Sequence, residues 1–311
     1  MFLVSDQPNT IALLKEEYRQ WLQTLGFSES SVKSLPQYIA EMLSWLDQNK
    51  RLKSSSFGGI GEADIREFFF QWKNRKNKTT GAGLSISHIN NGALAINNFI
   101  KFLRLTGKQD ITLKLPREKA KNKIPEVLTQ AEIKSLYEAT YHLDKRTNTE
   151  AFGQRDRAML QIYYGCGLRK TEGSSLEIND ILTVKKLVFV RKGKGSKERY
   201  VPITEQGLKD LQEYLQHGRE WFLEQRQKKE KRATERFFVN VFGEPMSRFY
   251  QRIKLLKEQA RINKNIGLHT LRHSIATHLM QAGMDMEQIR KFLGHSTLES
   301  TQIYTHIINE L

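Results

Sequence analysis

Four apolar stripes at helical spacing fill the first hundred residues and restrict what this part of the chain can become. Leu14, Tyr18, Trp21, Leu22 and Leu25 form the first, followed by Gly26, a residue able to end a helix in the left-handed conformation. Leu35, Ile39, Met42, Leu43 and Leu46 form the second, and Ile65, Phe68, Phe69 and Trp72 the third. Ile89, Ala93, Ile96, Ile100 and Leu103 form the fourth, closed by Gly107. A helix with one apolar face must bury that face, so the stripes predict a four-helix bundle over residues 1–107. The aromatic stripe reads as core rather than as a platform for stacking bases. Polar turns, Ser54–Gly59 and Lys76–Gly81, separate the helices.

Residues 108–128 change character. Lys114, Arg117, Lys119, Lys121 and Lys123 crowd around Pro116, with Pro125 soon after. Like charges repel and proline stops helix propagation, which predicts an extended basic linker. A solvated charge run and a segment lying along phosphates account for it about equally well.

A second domain over residues 129–311 opens on Thr129-Gln130-Ala131-Glu132, a capping box ahead of Ile133, Leu136 and Tyr137. Helix is expected again over 155–165. Ile178–Thr183, Leu187–Arg191, Arg199–Ile203 and Phe237–Val239 read as short strands. Gly193-Lys194-Gly195-Ser196-Lys197 is a hairpin tip carrying two lysines, and Glu224–Glu235 an exposed helix with a surface loop. Helices resume from Ser247. Asp285 with Gln288 and Ser296 with Glu299 are further capping boxes, and Gly294 suits a helix stop. The fold class is mostly α with a small β-sheet, an α+β second domain behind an N-terminal bundle.

Charge narrows the partner. Fifty Lys and Arg face 34 Asp and Glu, for a net charge of +16 in 311 residues. Such a field favours a polyanion and makes association salt-sensitive. The sequence contains no apolar run long enough to span a bilayer and no N-terminal signal pattern, so no membrane partner is expected. Cys166 is the single cysteine, which excludes an internal disulfide and a cysteine-cluster metal site and fits a cytoplasmic setting.

Six polar residues in the second domain share one chemistry. They are Arg169 in Gly-Leu-Arg-Lys-Thr-Glu, Lys194, His269 and Arg272 in His-Thr-Leu-Arg-His, His295 in Leu-Gly-His, and Tyr304 in Ile-Tyr-Thr-His. A phosphodiester repels nucleophiles, so cutting it needs fixed cationic donors at its nonbridging oxygens. Arginine suits this because its planar fork makes paired hydrogen bonds and keeps its proton. Histidines move protons near neutral pH and a tyrosine can act as nucleophile. Singly, each has an ordinary reading: a surface ion pair for Arg169, a solvated hairpin lysine for Lys194, packing for Tyr304. The histidine spacing offers no zinc ligand set, so no metal or other cofactor is expected.

In order and local context these segments, over roughly residues 127–306, resemble the tyrosine recombinase (phage-integrase) family, and within it the compact Xer-type and mobile-element integrases. The resemblance implies a SAM-like core-binding domain followed by a tyrosine-recombinase catalytic domain. It implies a site-specific DNA recombinase that cuts and rejoins strands through a covalent 3′-phosphotyrosine. Arg169 and Arg272 match the family's two arginines, which clamp the phosphate. Tyr304 matches the nucleophile. Lys194 matches the general acid at the leaving 5′ oxygen, with Lys197 close enough to be confused with it. His269 would accept and return the tyrosine proton, and His295 would hydrogen-bond the phosphate. Glu172 matches an acidic position that orients a cationic side chain, although an ordinary helix salt bridge explains it too. Lys197 and Arg199 join Lys114, Arg117, Lys119, Lys121 and Lys123 as candidate DNA contacts. The expected partners are double-stranded DNA and other recombinase subunits, as a homo-tetramer on paired sites or a hetero-tetramer with a sister recombinase, and an accessory protein is a further candidate. Seven residues, Thr305–Leu311, follow the tyrosine, where many family members carry a further helix that docks on a neighbouring subunit. The same cut without strand exchange would make a type IB topoisomerase-like enzyme. A decayed site would leave a DNA-binding regulator.

Overall fold

The computed structural model describes residues 10–49, 51, 60–76, 81–119, 125–142, 149–191, 198–227 and 234–294. The chain divides into two compact units, Met1–Asn122 and Lys123–Leu311.

The first unit is built on helices α1 (Thr10–Thr24), α2 (Glu29–Gln48), α3 (Glu62–Asn74) and α4 (Ile86–Leu105). Each carries one of the four stripes, and Tyr18, Leu22, Ile39, Met42, Ile65, Phe99 and Leu103 are among its buried residues. Ser28 starts α2 by accepting the Ser31 N–H at 3.1 Å. Gly26 and Gly107 stand in the left-handed region after α1 and α4, as the sequence suggests. The buried Tyr18 hydroxyl donates to the Ala95 carbonyl at 3.1 Å, so its burial leaves no orphaned donor.

Beyond Gly107 the chain is extended, as expected of the segment, but residues 111–118 are packed on the bundle rather than free of it. Ile111, Leu113 and Leu115 alternate inward and join the bundle core, while Lys114, Arg117 and Lys119 face out. Two asparagines of α4 bind this segment's backbone as a neighbouring strand would. Asn97 accepts from the Leu115 N–H at 2.8 Å and donates to its carbonyl at 3.0 Å; Asn90 does the same for Glu118, at 2.8 and 3.0 Å. Strand-like alternation, masked by the lysines, is the physical reason that the segment belongs to the bundle. Lys121 and Lys123 lie outside the described residues.

The second unit begins with α5 (Gln130–Ala139), whose Thr129–Glu132 capping box forms as read. α6 (Thr149–Leu160) continues into a wider π turn, Gln161–Gly165, and α7 (Lys170–Ser175) follows. A single 3₁₀ turn, Ile178–Asp180, leads into the sheet: β1 (Ile181–Leu182), β2 (Leu187–Val190) and β3 (Arg199–Pro202). The three strands are antiparallel in the order β1-β2-β3, with Val188 opposite Val201 and Val190 opposite Arg199. The first expected strand is thus shorter, because its opening residues take the 3₁₀ turn. α8 (Glu205–Glu213), a second π turn (Tyr214–Gly218) and α9 (Arg219–Gln227) come next. Phe237–Val239 is buried but makes one isolated bridge, Val239 to Pro245, rather than a strand. At Val239 side chains take the backbone groups: the N–H goes to the Tyr214 hydroxyl at 3.1 Å, and the carbonyl accepts from Arg155 at 3.0 Å.

Helices α10 (Phe249–Gln259), α11 (Leu268–Gln281) and α12 (Met286–Leu293) complete the described unit. α11 lies against the π turn after α6, and α12 packs Ile289 and Leu293 on Ala276 of α11. Asp285 caps α12 through the Gln288 N–H at 2.9 Å, and Gly294 ends it with φ +66°. The Ser296–Glu299 box lies outside the described residues. Among the described residues no helix is long and apolar enough to cross a membrane.

Candidate functional site

One carboxylate organises the site. Glu172 is the third residue of α7, and Oε2 reaches back to accept the Arg169 backbone N–H at 2.8 Å, satisfying one of the free donors at the helix start. The same carboxylate accepts from the Arg169 side chain at 2.8 Å and from both terminal nitrogens of Arg199, at 3.1 and 3.0 Å. Arg272 of α11 stands 3.9 Å away. Three guanidinium groups from three elements therefore converge on one buried acid.

A second anchor holds the same arginines from the other side. The last carbonyls of a helix lack partners within it and carry the negative end of its dipole. At the end of α12 three consecutive carbonyls each accept from a different arginine: Phe292 from Arg199 at 3.1 Å, Leu293 from Arg272 at 2.8 Å, and Gly294 from Arg169 at 2.9 Å. Arg272 also donates to the Gly167 carbonyl at 2.6 Å. Gly167 makes the turn into α7 with φ +59°, and a Cβ there would stand 2.8 Å from Leu293. Glycine is needed at that position for both reasons.

The electrostatics follow from this inventory. Burial, the largest influence, pushes the Glu172 carboxyl up. The hydrogen bonds and charge of Arg199, with the backbone and side chain of Arg169, outweigh it and hold the group at about 2. Glu172 is therefore ionised at neutral pH, and one negative charge faces three positive ones. The cluster keeps a net positive charge suited to a phosphate. His269, in the first turn of α11, is exposed to solvent beside this charge. Desolvation first, then the charges of Arg272, Lys170 and Arg169, lower its pKa from the ordinary 6.5. At neutral pH its imidazole is uncharged and can accept a proton. His273 is pushed further, to about 4, by burial and by His269 and Arg272.

Of the residues singled out in the sequence, the structure brings Arg169, Glu172, His269 and Arg272 into one neighbourhood. Lys194, Lys197, His295 and Tyr304 lie outside the described residues. Arg199 departs from its expected place among the DNA contacts. Its side chain is 9% exposed and turned inward onto Glu172, whereas Lys114, Arg117 and Lys119 are exposed on the first unit. The physical reason is strand periodicity. Arg199 shares a strand face with Val201, which is fully buried, and stands opposite Val190. Among the described residues no group of three or more His, Cys, Asp or Glu side chains is placed to hold a metal ion.

Comparison with known proteins places the fold and the family. Residues 126–310 match the model of the phage integrase family. Tyrosine recombinase XerD of Oceanobacillus iheyensis is 31% identical over 287 residues, covering 91% of this chain and 89% of that protein. Tyrosine recombinase XerD of Vibrio cholerae is 32% identical over 302 residues, covering 94% and 91%. Among solved structures, the XerH recombinase bound to a palindromic difH substrate superposes with a TM-score of 0.70 at 19% identity, over 96% of this chain and 82% of that one. A lambda integrase dimer bound to a COC′ core site gives 0.63 at 14%, over 94% of both. At those identities the superpositions speak for the fold. With the family model spanning more than half of the chain and Xer proteins aligned over nearly all of it, the chain belongs to the phage integrase family of tyrosine recombinases.

Proposed function

We propose that this tyrosine recombinase cuts and rejoins duplex DNA at specific sites, with Tyr304 as nucleophile. The phenol oxygen bonds to phosphorus as the bond to the 5′ oxygen breaks, leaving a 3′-phosphotyrosyl ester and a free 5′ hydroxyl. His269 takes the phenol proton, and Lys194 gives one to the leaving oxygen. The 5′ hydroxyl of a partner strand then attacks the ester and releases the tyrosine. The ester conserves the energy of the cleaved bond, so the cycle needs no nucleotide. Arg169 and Arg272 hold the phosphate, and His295 adds a hydrogen bond. The observation that carries this reading is the family match over residues 126–310, which spans every residue given a part in the chemistry.

DNA is the partner that the solved relatives carry, and the net charge of +16 suits it. Lys114, Arg117, Lys119, Lys121, Lys123 and Lys197 are the basic residues proposed to lie along its backbone. The N-terminal core-binding domain and the C-terminal catalytic domain would each contact the duplex. Exchange between two duplexes calls for four subunits, of this chain alone or with a sister recombinase, acting in the cytoplasm.

The test is covalent capture. DNA sites attached to the protein are recovered from its host genome and rebuilt as nicked suicide substrates. Wild type is expected to become attached to the cut strand, with or without EDTA, and Tyr304→Phe to remain unattached. Attachment that persists in the phenylalanine variant would overturn the assignment of the nucleophile. Binding should weaken steeply as salt rises; a flat response would count against the clamp.

A further inference from the structure

Arg199 sits where the chain returns from the β2–β3 connection that carries Lys194, and the chemistry proposed above gives it no task. We infer that Arg199 is a positioning residue for strand cutting: it ties the start of β3 to Glu172 and to the end of α12, and so sets the arginine clamp. This inference rests on the proposed function and names a further residue of that site.

Four observations converge on it. Each of the three guanidinium nitrogens has an acceptor: Nε on the Phe292 carbonyl, Nη1 and Nη2 on the two oxygens of Glu172. The side chain is also 9% exposed, closed in between β3 and its acceptors. The strand register turns it inward, opposite Val190 and on the face of Val201. Finally, a Cβ on Gly294 would lie 2.7 Å from Arg199 Nη1, so the end of α12 is fitted closely against this side chain. The paired hydrogen bonds to Glu172 fix the plane of the carboxylate. That plane in turn fixes the N–H and guanidinium of Arg169. Lysine would keep the charge but has no fork to orient the carboxylate while also reaching the Phe292 carbonyl.

The groups facing Glu172 are Arg169 from α7, Arg199 from β3 and Arg272 from α11, with the carbonyls of residues 292–294 at the end of α12 beside them. Without Arg199, Glu172 keeps the other two arginines but loses its paired partner. It should then protonate at higher pH than in wild type.

The experiment compares Arg199→Ala and Arg199→Lys with wild type in the full chain. It measures the Kd for the captured site, its salt dependence, and single-turnover attachment to the suicide substrate across pH. Expected are a Kd and salt slope like those of wild type, with attachment slowed by roughly ten- to a hundredfold in the alanine variant. The lysine variant should recover only part of this, and the alanine variant should gain a second acid limb, from Glu172, beside the one set by His269. A salt slope reduced by about one, with weaker binding to match, would make Arg199 a phosphate contact and overturn the inference. Attachment at the wild-type rate in both variants would overturn it as well. Should the alanine variant fail to fold, the lysine variant carries the test: it must cut more slowly at unchanged Kd, and wild-type cutting would overturn the inference. A wild type that never attaches would remove the proposed function and this inference together. A wild type that attaches while the variants match it would remove this inference alone.

Discussion

Replacing Glu172 by glutamine keeps the shape of the side chain and removes the one negative charge among three arginines. The size of the effect can be worked from the structure. The carboxyl is held at about 2 against an ordinary 4.5, despite burial that opposes ionisation. At about 1.4 kcal/mol for each tenfold change in proton affinity, the ionised group contributes roughly 3 kcal/mol to folding at neutral pH. The sign follows from the direction. A depressed carboxyl pKa stabilises the fold fully above the unfolded value, and that contribution drains away as pH falls through the native one. By pH 3 about 2 kcal/mol of it should be gone in wild type. The glutamine variant should begin about 3 kcal/mol lower at pH 7, since its amide NH₂ cannot satisfy a guanidinium, and should lack this pH dependence. Urea unfolding of the full chain at pH 7 and pH 3 is the assay, read by hydrogen exchange in peptides covering 149–191 so that the bundle does not mask the second unit. A variant within about 1 kcal/mol of wild type at pH 7, or one that loses stability in parallel with it on acidification, would refute the reasoning.

Two further outcomes are expected. Gly167→Ala should destabilise the second unit by about 1–2 kcal/mol from its left-handed backbone alone. The 2.8 Å approach to Leu293 should add to this, and an unchanged Tm in thermal unfolding would contradict the account. Because the pKa of His269 is lowered, single-turnover attachment should hold its rate from pH 7.5 to below 6.5 and fall only at lower pH, while His269→Ala should abolish that limb. A limb that persists in the alanine variant belongs to another group.

Much of the fold was legible because helical burial leaves a periodic trace. The stripes of α1 to α4 and the caps at Thr129 and Asp285 are local signals, and they appear where the sequence places them. Segments whose partners are distant were less legible. Nothing near Leu115 or Glu118 announces that Asn97 and Asn90 bind their backbones, and in 108–128 the lysines are the stronger local signal. Phe237–Val239 has a strand's composition, yet a hydroxyl and a guanidinium occupy the backbone groups of Val239. At the site, Arg169, Glu172, His269 and Arg272 could be named from their local strings. The inward turn of Arg199 was hidden by basic neighbours, although the alternation through Val201 and Ile203 was there to be read.

The three consecutive acceptors at the close of α12 have a bearing on how this site can vary. They are main-chain oxygens, so no exchange of side chain at 292 or 293 deletes them. These three acceptors can be lost only by displacing the helix end itself, through a proline, loss of the glycine that lets the chain turn, or an inserted or deleted residue. Natural drift in this stretch should accordingly be strict in length.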